Sequence, residues 1–432
     1  MIVIRGEGSV AQSDMRRRNL SRIVRAIHVD GPRSRSSLSN ELGLNRSTVA
    51  SLIGELAARG LVSERAGSST GPQGRGRPST VVELRRDGPG ALAIEFATDW
   101  IRAAVIGLGG VIVRSARCER SLVGSRPDEV LEETRALVAP LLETHAGDPS
   151  LGSIGISVPG MVRHEDGFVQ HAPNLGWREV PLGAMVRDSL AHLDIPVMVA
   201  NDADLATSAE HLRGSGRGAD DFVCLWGEGG IGAGIIVGGR SMVGAAGYAG
   251  EIGHVTIDPQ GPACSCGSRG CWELMVAEQA LLARSGRDPL GGSDAVDDLL
   301  RAAEANDERA LAALAECGRW FGIGLAGIVN VFNPSRVSLG GLYARIFPYM
   351  KPALFAELDF RAMPAARAIV ELTTVQLGAD ALLLGAAELA LAPLLYDPTI
   401  IPALEARGPR SFAAGPDRTR AAVPISRTGQ RR

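Results

Sequence analysis

The chain of 432 residues lacks any apolar run long enough to span a membrane, which takes about 20 residues, so no membrane-embedded segment is expected. Its start, MIVIRGEGSVAQSDMRRRN, scatters charges and has no long apolar core, so it does not read as a secretory signal. These two absences point to the cytoplasm. Cysteine is scarce, with six residues, and in that compartment grouped cysteines serve metals or catalysis more often than disulfides. Lysine is almost absent. Lys351 stands alone and the other basic residues are arginine, an exchange that carries no functional reading.

The rest of the composition, 45% hydrophobic and 22% charged, is that of an ordinary globular protein, with length for two or three domains. A net charge of −3 conceals an asymmetry. Residues 1–87 hold 15 Arg against 8 Asp and Glu, a net of +7; the remainder holds 30 basic against 40 acidic residues, a net of −10. A basic segment on an acidic body suits a polyanion-binding module or a solvated tail, and the pattern must choose.

In RRRNLSRIVRAIHVD, residues 16–30, Leu20, Ile23, Val24 and Ile27 recur at helical spacing. Ser34 is placed to cap a short second helix that Gly43 ends, and Asn45 to cap a third with Val49, Leu52, Ile53 and Leu56 on one face, stopped at Gly60. LVSERAG and STVVELRR then read as two strands around SSTGPQGRGRP, a basic wing. Three helices and a wing predict a winged helix-turn-helix. Its third helix would lead into the major groove with Asn45, Arg46, Ser47 and Thr48, and Arg75 and Arg77 on the wing would reach a minor groove. Such modules also bind proteins; the charge favours DNA.

From about residue 88, strand-like and helical runs alternate to about 396, predicting an α/β body. Residues 397–432 are rich in Pro, Arg and Ala without periodicity and are expected to be a mobile tail.

The stretch GEIGHVTIDPQGPACSCGSRGCWE, residues 250–273, gathers His254, Cys264, Cys266 and Cys271. One nitrogen and three sulfurs suit four-coordinate zinc with no vacancy for water, hence a structural ion, one per chain. Reduced buried cysteines are the plain alternative, and Cys118, Cys224 and Cys317 are read that way. Glu251 and Glu273 flank the cluster, where a pinned loop would present both carboxylates to a polyhydroxylated ligand. Asn201 and Asp202 end a strand in VMVANDADLA, where α/β sheets bind ligands and where such residues also simply cap helices. WGEGGIGAG and SLGGLY are Gly-rich turns, either phosphate cradles or plain hairpins.

Together AGEIGH, CSCGSRGCWE, AND, GGIGAG, LGG and LGADALLLGAAELA resemble the ROK family of sugar kinases and sugar-responsive transcriptional regulators. The resemblance implies an actin-like, two-lobed α/β body of sugar-kinase type over 88–396: lobe 1 about 88–200 plus the last helix 378–396, lobe 2 about 201–377. The winged head occupies 16–87 and a tail 1–15. It implies zinc on His254, Cys264, Cys266 and Cys271. It implies sugar contacts from Asn201, Asp202, Glu251, His254 and Glu273, with Asp202 at the kinases' general base. The chain departs from the family's kinases at EFATD, residues 95–99, where they carry Asp-x-Gly-Gly-Thr, and at Gly229, where they usually carry Thr. A base without its phosphate clamp does little phosphoryl transfer. The expectation is a non-enzymatic repressor with Asp202 vestigial, released by sugar from a palindromic operator and working as a homodimer or homotetramer. The alternative is a sugar kinase with a DNA-binding head.

Overall fold

A computed structural model of the protein describes residues 7–66, 80–143 and 148–403. Its first helix, α1 (Glu7–Asp30), starts at Glu7, not at residue 16, so most of the expected N-terminal tail is helix. Ser13 and Met15 are exposed and Asp14 partly so, which leaves apolar periodicity nothing to register there; ion pairs such as Arg16 Nε–Glu55 at 2.7 Å hold the next turn. After β1 (Arg33–Ser34) come α2 (Arg35–Leu42) and α3 (Arg46–Ala58). Ser34 Oγ accepts from Ser37 N–H to cap α2, and Gly43 ends it at φ 65°. Asn45 Oδ1 accepts from Thr48 N–H at 2.8 Å to cap α3. β2 (Val62–Ala66) and β3 (Thr80–Leu84) pair antiparallel, and β1 adds a third strand on the far side of β3. Leu20, Ile23, Val24, Ile27, Leu38, Val49, Leu52, Ile53 and Leu56 are at most 1% exposed, at roughly 1.5–3 kcal/mol for each large side chain.

The body follows with β4 (Pro89–Phe96), β5 (Trp100–Gly107) and β6 (Val111–Glu119), then α4 (Pro127–Val138) and β7 (Ser150–Val158). A small sheet of β8 (Met161–Arg163), β9 (Phe168–Ala172) and β10 (Trp177–Val180) precedes α5 (Leu182–Ser189), β11 (Val197–Asn201) and α6 (Asp202–Arg213). Then come β12 (Phe222–Glu228), β13 (Gly230–Val237), β14 (Arg240–Ser241), α7 (Glu273–Val276), α8 (Glu278–Ser285), α9 (Gly292–Glu304) and α10 (Glu308–Phe332). The body closes with β15 (Arg336–Gly341), α11 (Leu342–Arg361), α12 (Pro364–Arg367), β16 (Glu371–Thr374) and α13 (Ala381–Tyr396).

The two five-stranded sheets share one wiring. The first runs β11-β7-β4-β5-β6 and the second β16-β15-β12-β13-β14. Each opens with an antiparallel meander and adds two parallel strands beyond its first strand. α13 packs on the first sheet and α6 on the second, and the two helices pack on each other. Gly385 lets them meet: a Cβ there would stand 2.1 Å from Leu205 O.

Two expectations need correction. α10 and the segment Gly378–Tyr396 are long and apolar enough to cross a membrane, against the reading that no such run exists. Both are mostly buried in the fold, 61% and 67% of their apolar windows, because each fills a core between layers. The tail expected from residue 397 is also anchored at its start. Arg59 Nη1 donates to Thr399 O at 3.2 Å and Ile401 O at 2.6 Å, and Arg17 pairs with Asp397 at 3.6 Å. Residues 404–432 lie outside the described residues.

The head is built into the body. One apolar cluster joins Leu20, Ile27, Leu52 and Val82 of the head to Ala93 and Ile106 of the first sheet and Leu383, Leu391 and Leu394 of α13. Beside it, Gly109 N–H donates to His28 Nδ1 at 2.9 Å, so Nε2 keeps the ring proton and donates to Glu388 at 2.8 Å. Arg213, ending α6, donates to Glu388 Oε1 at 2.6 Å and to His28 O at 3.1 Å.

Candidate functional site

The loop from Gly250 to Cys271 folds on itself through short antiparallel bridges, Thr256 with Cys271 and Ala263 with Arg269. Gly270, at φ 62°, passes so close to Asp258 O that no Cβ fits. The fold brings the ligand atoms of His254, Cys264, Cys266 and Cys271 within 4.8 Å of one another. Cys264 Sγ lies 3.7 Å from His254 Nδ1, and Cys266 Sγ 3.6 Å from Cys271 Sγ. The edges of a tetrahedron of zinc ligands are about 3.5–3.8 Å, from bonds of about 2.3 Å to sulfur and 2.0–2.1 Å to nitrogen. The donor set and its spacing therefore fit zinc. All six cysteines are free thiols, and Cys224 and Cys317 are buried as expected, whereas Cys118 is only partly so.

A cavity of about 130 Å³ adjoins this loop, and Asn201, Asp202, Glu251, His254 and Glu273 all line it. β7 and β11 end side by side at Val158 and Asn201, which opens the cavity at their carboxyl ends. Asn201 is committed locally: its Oδ1 accepts from Asp204 N–H at 3.2 Å and its Nδ2 donates to Gly160 O at 3.0 Å. Asp202 Oδ1 accepts from Ala203 N–H at 2.8 Å. Glu273 Oε1 lies 3.2 Å from His254 Nδ1, and Cys264 donates to it at 3.0 Å, joining the cysteine loop to the cavity wall.

The cavity also has walls that the sequence did not reveal: Glu228, Trp226, Asn174 and His171. Glu228 ends β12 and is the one charged residue in WGEGGIGAG, a signal hidden by reading the stretch as a backbone turn. Its Oε2 accepts from Trp226 Nε1 at 3.2 Å, while its Oε1 is sealed from solvent without a hydrogen-bond partner. Burial first, then the Asp202, Glu95 and Asp99 charges, pushes Glu228 up to about 8. Burial likewise pushes Asp202 up to about 7, with the Ala203 N–H working against it and the Glu251 charge adding to it. Asp204, just behind, reaches about 7 through burial and the Asp202 charge.

Nearby, the stretch 95–99 is closed by its own side chains. Glu95 Oε1 accepts from Trp100 Nε1 at 2.8 Å and Oε2 from Arg102 at 3.4 Å, and Phe96 and Ala97 are buried. Arg102 also reaches Ala379 O at 2.5 Å and Asp380 at 2.7 Å. A larger groove, about 980 Å³, runs between the head and the β5–β6 turn and contains none of the predicted site residues.

On the head, Arg46 and Ser47 are exposed at the start of α3, with Thr48 partly so. Asn45 accepts from both Thr48 N–H and Ser47 Oγ, each at 2.8 Å, so its side chain serves as the cap. Arg75 and Arg77 lie outside the described residues.

The profile of the ROK family matches residues 91–392. The chain belongs to the ROK family. Among its ROK relatives, the xylose repressor of Bacillus subtilis is 30% identical over 376 residues, covering 87% of this chain and 95% of that one. A ROK transcriptional regulator of known structure, a homologue of the Escherichia coli Mlc protein, superposes with TM-score 0.73 at 27% identity over 89% of this chain and 97% of its own. A ROK glucokinase from Streptomyces griseus, solved with glucose and AMPPNP, matches with TM-score 0.59 at 29% identity, covering 70% of this chain and 99% of that one. The similarity to the repressor and to the regulator thus reaches beyond the ROK body, and the similarity to the kinase covers a smaller share of the chain.

Proposed function

We propose that this protein is a DNA-binding transcriptional repressor that a sugar, bound in the ROK cavity, releases from its operator. The observation that carries the reading is one of connection. The cavity meets the first residue of α6, and the last residue of the same helix holds His28 and Glu388 at the root of the DNA-binding head. A sugar bridging Asp202 on α6 to Glu251 and Glu273 on the zinc-pinned loop would draw the two sheets together. That motion would shift Arg213 and the head with it. Two heads on a twofold axis would fit a palindromic operator, with the protein a cytoplasmic homodimer or homotetramer. Asn45, Arg46, Ser47 and Thr48, with Arg75 and Arg77, are the proposed DNA contacts. Zinc on His254, Cys264, Cys266 and Cys271 would be structural, fixing the loop that presents Glu251 and Glu273.

Kinase activity is not part of this reading. Phosphoryl transfer needs a clamp on the phosphates, and Glu95 is instead spent on Trp100 and Arg102. The second reading, an active sugar kinase, draws support from Asp202, whose value of about 7 suits a general base. One experiment separates them: operator binding measured across a sugar titration, with and without ATP and magnesium, alongside ADP release. The repressor reading expects release by sugar alone and no sugar-dependent ADP. Release only with ATP, or turnover on the bound sugar, overturns it.

A further inference from the structure

We propose that the cavity takes sugars that carry no phosphate or other anionic group, and that Glu228 is the residue that sets this selectivity. The inference rests on the reading of this cavity as the effector site. Four carboxyls line it (Asp202, Glu228, Glu251 and Glu273), and none of the residues lining it is Lys or Arg. Sites that take phosphate supply guanidinium or ammonium groups, or free amides at a helix start. Neither is on offer here: of the two imidazoles in the wall, His254 belongs to the candidate metal set and lies against Glu273, and burial and the Arg178 charge hold His171 below its usual range. The first amides of α6 are filled from within, Ala203 N–H by Asp202 and Asp204 N–H by Asn201. Arg102, which reaches towards this end of the cleft at Glu95, is held by Asp380 and Ala379 O.

Glu228 supplies what a structural residue would not. It stands on the turn between β12 and β13, faces Asp202 electrostatically, and keeps a buried oxygen with no partner. Trp226 Nε1 uses only the other oxygen, and a buried acceptor left unsatisfied is destabilising, so packing accounts for one acceptor at this position and not for a second. A carboxyl in that place repels an anion and leaves a neutral hydroxyl unopposed. Because burial delays its ionisation, the barrier to anions grows as pH rises past neutrality.

The test is calorimetric titration of the full-length protein at pH 9, above the value of about 8 at Glu228, so that its carboxyl is ionised. The probes are glucose, xylose, mannose and N-acetylglucosamine, with glucose 1-phosphate, glucose 6-phosphate and N-acetylglucosamine 6-phosphate. The expected result is that at least one neutral sugar binds and that its phosphate esters bind about a hundredfold more weakly or worse. In Glu228→Gln the ratio between ester and parent should narrow about tenfold, because one of the facing charges is gone. The ratio is read within each protein, so a general loss of affinity does not imitate it. An ester that binds wild type as tightly as its parent sugar overturns the proposal while leaving the cavity a sugar site. An unchanged ratio in Glu228→Gln overturns the role of Glu228. If neither sugars nor esters bind, the sugar-site reading itself fails and takes this proposal with it.

Discussion

The two ends of α6 carry polar clusters of similar make-up and opposite character. At the Arg213 end, Glu388 receives hydrogen bonds from a guanidinium and an imidazole. Burial would raise its carboxyl, but His28 and Arg213 outweigh that and hold it below the usual range. At the Asp202 end, carboxyls face one another, Asp202 and Glu228 rise to about 7 and 8, and one oxygen has no partner. A buried charge that is fully paired locks elements together, and removing one partner is costly. A buried charge left short of partners is held ready for something that arrives later. The same helix joins a weld to the proposed sugar site.

The largest expected break lies on the cavity side, at the proposed metal pin. Cys264→Ser should abolish zinc, read by elemental analysis against one ion per wild-type chain, and with it sugar binding. Operator binding without sugar should survive, because the weld is elsewhere; its loss would show that the two ends are not separable. Next is the weld. Glu388→Ala strands Arg213 and His28 and should lower stability in chemical denaturation by about 3–5 kcal/mol. Glu228→Gln in the same assay should cost little or stabilise, and equal losses would erase the contrast.

Third comes Asp202→Asn, which removes a charged acceptor from the sugar. It should weaken sugar binding by about 1.5–3 kcal/mol, roughly ten- to over a hundredfold, with sugar-free operator affinity unchanged. Wild-type response in this variant would mean that the sugar site lies elsewhere. The smallest effect is a slope. Asp202 and Glu228 have folded values above their unfolded ones, so the folded state holds extra protons between about pH 4.5 and 8. Stability of the sugar-free protein should therefore fall as pH rises through that window, and Glu228→Gln should flatten the fall in melting temperature. A melting temperature that rises with pH there would refute the assignment.

Much of this was legible in the sequence, for identifiable reasons. Caps such as Ser34 and Asn45 act within four residues, so local spacing reveals them. The ligands His254, Cys264, Cys266 and Cys271 sit in one loop, so their chemistry shows as a pattern. Asn201 and Asp202 show as a strand end and Glu251 and Glu273 as neighbours of the cysteine loop, but only the family resemblance joins them, since no local rule brings a strand end and a distant loop to one cavity. The weld was invisible. His28, Arg213 and Glu388 are far apart in the chain, and each taken alone is an ordinary polar residue on a helix. Glu228 was overlooked because glycines around it drew the reading toward backbone. The start of α1 went unseen because the sequence from 7 to 15 carries no apolar stripe at helical spacing.

The shared core of the head and α13 has a consequence in time. Leu20, Ile27 and Leu52 are made first, while Leu383, Leu391 and Leu394, which cover the same cluster, are made over 300 residues later. During translation the head therefore waits, its apolar side uncovered, until α13 has left the ribosome. A product cut short before Ala381 would expose that surface and be open to proteolysis instead of occupying a promoter. Placing α13 under the head makes assembly its own quality control: the core of the head is completed only once α13 has been made.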